Sequence, residues 1–151
     1  IGLLGIAGLQ SAALSNNLIS YQYTQASSLA QAMIERMRAN RDGVRNGAYA
    51  IAADATPPAA AVNCASSACT SAQQAQWDIA TIYSQVSSSV GTTNIPSGPR
   101  GMLPGLWISL DRGTCTAESL RIVTVYWDAS RRNPSAIDCD VLRCIRLGYL
   151  P

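Results

Sequence analysis

The chain has 151 residues, 48% hydrophobic and 13% charged, with a net charge of +2, which suffices for one domain with its own core and supplies no strong field for nucleic acid or anionic lipid. All 11 basic residues are arginine, with neither lysine nor histidine, which removes the usual general base, the commonest metal ligand and every side-chain amine nucleophile. Chemistry by the common enzyme routes is therefore not expected, and no cofactor is sought.

No charge occurs before Glu35 and no proline before Pro57, so residues 1–42 read as one long helix. Ile19, Tyr23, Ala26, Ala30, Met33 and Met37 recur in steps of four and three, an apolar stripe opposite Ser20, Thr24, Gln25, Ser28 and Gln31. The opening IGLLGIAGLQSAAL differs. Ile1, Leu3, Leu4, Ile6, Leu9 and Leu14 lie on several sides of the wheel, so no single contact can bury them all. Fourteen helical residues reach roughly 21 Å against a hydrocarbon core of about 30 Å, too short to span alone. Residues 1–18 therefore read as the lower part of a membrane or fibre-core helix, with any targeting segment already gone. Gly2, Gly5 and Gly8 recur every third residue, either for close helix contact or simply as pliable positions.

The stretch Arg38-Ala39-Asn40-Arg41-Asp42-Gly43 signals the helix end, its arginines suiting the C-terminal dipole and its Asn40 and Gly43 serving as stop residues. Residues 43–105 read as a loop region with a second helix over about 71–90, its apolar set being Trp77, Ile79, Ile82, Tyr83 and Val86. Residues 106–151 change period. Leu106, Ile108 and Leu110 alternate with Trp107, Ser109 and Asp111; LRIVTVYW over 120–127 is β-branched and aromatic; residues 141–150 form a third strand, with Arg143 and Arg146 on opposite faces. Trp107 faces away from Ile108 and suits a partner contact or sheet packing equally. An antiparallel meander with one face covered by the long helix makes an α+β domain.

Five cysteines, Cys64, Cys69, Cys115, Cys139 and Cys144, point to an oxidising compartment, two disulfides and one thiol left over. Cys64 and Cys69 close a short loop. If the segment from Cys139 to Cys144 is extended, five steps span about 16 Å, beyond disulfide reach. Cys115 then takes one of the two. Cys144 is favoured because the third strand runs back toward the loop holding Cys115, which makes Cys139 the free-thiol candidate. A four-cysteine zinc site is disfavoured by the spacing and the compartment. Asp138 and Asp140 are too few for calcium, so no metal is expected.

The order of elements resembles type IV pilin architecture, a long N-terminal α-helix packed on a small antiparallel β-sheet. GLLGIAGLQSAAL and LAQAMIERMRANRDGVRNGAY, covering the first third, resemble minor pilins of the PilV type, the pilus modification proteins. The most specific part is Glu35, Arg36, Met37, Arg38, Ala39, Asn40 and Arg41. The resemblance implies a leader cut by prepilin peptidase before a Phe-Thr-Leu-Ile-Glu type start, with methylation of the new N-terminus. Neither leader nor start is in this chain, so it reads as N-terminally truncated. It further implies a Gram-negative subunit anchored in the inner membrane with a periplasmic domain, which then enters the pilus fibre near its tip. Its partners would be other minor pilins, the major pilin and a tip adhesin; its role, priming assembly for adhesion and twitching motility. Ile1, Leu3, Leu4, Ile6 and Leu9 would then form the assembly-helix surface. The runner-up is a minor pseudopilin of type II secretion; a tip module binding a ligand or DNA is the competing class. Glu35 and Asp42 interleave the arginines at the helix end, so nucleic acid is not an expected partner.

Overall fold

The computed structural model describes residues 2–52, 55, 58–86, 107–110, 120–127, 137 and 139–150. Helix α1 spans Gly2–Ala39, α2 Arg41–Arg45 and α3 Ser71–Val86; strands β1, β2 and β3 span Trp107–Leu110, Arg121–Trp127 and Arg143–Tyr149. The fold is α+β and type IV pilin-like, a long N-terminal helix on a three-stranded antiparallel sheet of order β1-β2-β3.

Period two sets the sheet's two faces. On β2, Val123, Val125 and Trp127 point at α1 and are fully buried; Val123 pairs across the ladder with Leu110 of β1 and Leu147 of β3, and Val125 with Ile108 and Ile145. On the helix, Ala26, Ala30, Met33 and Met37 meet that face, joined by Leu29 and Ile34. Alanines at the contact let the helix axis lie close to the sheet, and Met33 fills the remaining gap. Burying Met33 alone is worth about 1.5–3 kcal/mol. Helix α3 closes the core from the side with Ala75, Ile79 and Ile82. Its start is a capping box: the Gln73 amide N–H donates to Thr70 Oγ1, and the Thr70 N–H donates to Gln73 Oε1. Residues 87–90, expected to continue this helix, lie outside the described residues.

Three expectations need correction. The first helix ends at Ala39, short of the expected residue 42, and Gly43 is not its stop. It breaks at Asn40, whose side chain accepts from the Gly43 N–H to start α2. The stop is Gly47, at φ 71°, where the Ala48 N–H reaches Gly43 O and the Gly47 N–H reaches Val44 O. That is the Schellman arrangement, which needs a left-handed residue. Gly43 is small for another reason: a Cβ there would lie 2.5 Å from Asn40 Nδ2 and 3.0 Å from Ser71 O.

The segment after α2 is also less of a surface loop than its composition suggests. Val44, Tyr49, Ile51 and Ala60 are buried, and Ile51 bridges to Leu110 at the edge of β1.

The third correction concerns the cysteines. Cys64 is bonded to Cys69, and Cys139 to Cys144 with a Cα–Cα distance of 5.4 Å. Cys144 is therefore not the partner of Cys115, and Cys139 is not a free thiol. The extended-chain premise fails because residues 139–141 form a turn before β3 begins at Arg143, which folds the five-residue span back on itself. Cys115 lies outside the described residues and is, by count, the odd cysteine of five.

Candidate functional site

Helix α1 has two environments. Ile6 is 54% exposed, Leu9 74%, Leu14 71% and Leu18 52%, while every residue that packs on the sheet comes later. Leu3 and Leu4 lie in the same helix, and Ile1 lies outside the described residues. The change comes at Gln22. Its side-chain oxygen accepts from Trp127 Nε1 at 3.2 Å, and the next residue, Tyr23, sets its ring edge-on to the Trp127 indole, centroids 4.9 Å apart. Trp127 is thus wholly buried with its one donor satisfied. Exposed leucines on a bare helix are unfavourable in water and suited to lipid or to neighbouring helices. Among the described residues, no helix is long and apolar enough to cross a membrane.

The base of α1 is fixed by a buried carboxylate that sequence reasoning missed. Asp78 of α3 is 2% exposed. Its Oδ1 accepts from Arg36 at 3.1 Å and from Gln74 at 2.9 Å, and its Oδ2 accepts from the Tyr49 hydroxyl. Asn40 donates to Ser71 O at 2.7 Å and to the Tyr49 oxygen at 3.2 Å. One network therefore joins the end of α1, the break before α2, the turn at Tyr49 and the first turns of α3. A signal for it was in the sequence: Asp78 falls among Ala75, Ile79 and Ile82, on the stripe that α3 must bury. An acid at such a position demands a cationic or hydrogen-bonding partner.

Of the arginines grouped at the helix end, Arg36 belongs to this buried network. Arg38 pairs with Glu35 at 2.7 Å and Arg45 with Asp42 at 3.9 Å, both on the surface. Met37 is buried; Ala39 and Arg41 are exposed. Asp140 lies in the turn before β3, Asp138 lies outside the described residues, and no metal-holding group of acidic residues and cysteines occurs among the described residues.

Residues 8–80 match a family model described as Tt1218-like, type IV pilin Tt1218. Over that stretch, just under half of the chain, the sequence is similar to type IV pilins. The match runs from the exposed half of α1 through the Asp78 network, the two features that the geometry sets apart. Type IV pilins are a structural, non-enzymatic family, whose members assemble with other pilin subunits into a pilus. No curated protein and no solved structure matches the chain.

Proposed function

We propose that this chain is a type IV pilin, a minor subunit of the PilV type, which joins other minor pilins to prime type IV pilus assembly and stays near the fibre tip. One observation carries the reading: the first half of α1 presents Ile6, Leu9, Leu14 and Leu18 to its surroundings while the second half is locked to the sheet. Apolar side chains tolerate both lipid and a bundle of sister helices, so a subunit can leave the first for the second at little cost, since neither is water. The segment from Glu35 to Arg41 supports the minor-pilin assignment through its resemblance to PilV-type proteins. The surface Ile1, Leu3, Leu4, Ile6 and Leu9 serves assembly, the inner membrane holds the subunit beforehand, and the major pilin and a tip adhesin are later neighbours.

The test is complementation of a deletion strain with Leu9→Asp and Leu14→Asp variants, scoring surface pili and protein secretion separately. Both positions are exposed, so each change should alter stability by no more than about 0.5 kcal/mol. Pili should be lost with the folded domain intact and secretion normal. Normal piliation by both variants overturns the assembly surface. Loss of secretion with pili retained assigns the chain to a type II secretion pseudopilus instead.

A further inference from the structure

The outer face of the sheet carries a cleft that the assembly surface does not use. Its volume is about 890 Å³, within the range of small-ligand sites, roughly 300–1,000 Å³. The floor is a polar row: Ser109, Thr124 and Arg146 lie directly opposite one another across β1, β2 and β3. Two inter-strand spacings make that row about 10 Å long. Tyr126 flanks it, and Ala52 and Pro58 belong to an apolar wall.

Three side chains of this cleft are poorly explained by folding alone. Thr124 and Tyr126 are largely buried as residues, but their hydroxyl oxygens reach the solvent of the cleft and have no hydrogen-bond partner among the described residues. Arg146 is exposed and makes no ion pair among the described residues. These two hydroxyls and the guanidinium line one cleft, where they are available as donors to an oxyanion.

We propose that this cleft binds an acidic side chain on an otherwise apolar peptide segment of a partner protein. The Arg146 guanidinium takes the carboxylate, the Thr124 and Tyr126 hydroxyls complete its hydrogen bonds, and the apolar wall receives the flanking side chains. One cation suits one carboxylate and not a run of phosphates. The Tyr126 ring is itself buried, so it offers a hydroxyl and no open face on which a sugar could stack.

The probe is the capped pentapeptide Ac-Ala-Val-Asp-Val-Ala-NH₂, titrated into the whole chain and followed by amide NMR shifts. Saturable shifts at Ser109, Thr124 and Arg146, with Kd on the order of 1 mM, are expected. Replacing the peptide's Asp by Asn, or Arg146→Gln in the protein, should weaken binding about tenfold or more. Thr124→Val and Tyr126→Phe should also weaken it while leaving Tm nearly unchanged, because each removes a solvent-reaching hydroxyl that makes no hydrogen bond within the described residues. The proposal is overturned by absence of saturable shifts, by equal binding of the Asn peptide, or by undiminished binding to Arg146→Gln. Acetate binding as tightly as the peptide, or glucuronate binding where the peptide does not, overturns the peptide class.

Discussion

Two ion pairs made from the short stretch Glu35–Arg38 of α1 have very different weight. Glu35–Arg38 is solvent-exposed on both sides, and pairs of that kind contribute at most a few tenths of a kcal/mol. Arg36–Asp78 places a carboxylate where water is excluded, with the arginine side chain 30% exposed. Asp78→Asn should lower stability by about 2 kcal/mol, less than for a fully buried pair because Arg36 can regain water. Arg38→Gln should shift the urea midpoint hardly at all. Equal midpoints for the two variants would show that the buried network contributes nothing.

Tyr83 gives a second residue-scale test. Its hydroxyl accepts from the Ile108 N–H at 3.0 Å and donates to the Ile108 carbonyl at 3.3 Å, occupying both backbone groups of Ile108 on an edge strand. Burial pushes the phenol's pKa up from its ordinary value of 10.0, partly offset by the backbone hydrogen bond. The folded state therefore keeps its proton at a pH where the unfolded chain has released it. Tyr83's contribution is whole below about pH 10 and declines as pH rises through the folded-state value. Tyr83→Phe should cost about 1–2 kcal/mol at neutral pH and flatten the alkaline decline. An unchanged alkaline slope in the variant would refute the assignment.

At the scale of elements, the sequence was most readable where a period ran uninterrupted. The α1 stripe and the β2 run LRIVTVYW could be placed because burial on one face forces period 3.6 or 2. The capping box at Thr70 was equally open to reading, since it needs only a threonine followed three places later by glutamine. What could not be read was anything decided by a partner distant in the chain. Whether Asn40 ends one helix or starts another depends on Ser71 and Tyr49, 31 and 9 residues away. The Cys139–Cys144 bond depended on local conformation: a turn and a strand of equal length differ severalfold in span, and composition did not choose between them. The outer-face cleft was half visible. Arg146 could be set opposite Arg143, but the row it makes with Thr124 and Ser109 exists only once the register is known.

For the whole molecule, the division of α1 implies that stability and assembly reside in separate stretches of one helix. Removing residues 1–18 should leave Tm within about 2 °C of the parent, because the removed side chains described by the structure are exposed and surface changes have small effects. The shortened chain should also self-associate less. A drop in Tm comparable to the loss of a core residue would mean that the first half of α1 packs on its own domain after all.

Where α1 leaves the sheet, at Gln22 and Tyr23, it becomes a lever. Some 20 helical residues project from that fulcrum, an arm of about 30 Å, so tilting it by about 10° carries the free end about 5 Å sideways. The last contact before the arm leaves the sheet is the seat of one indole against one glutamine and one phenol ring. Remodelling that seat would swing Ile6 by a side chain's width and leave the rest of the domain as it stands.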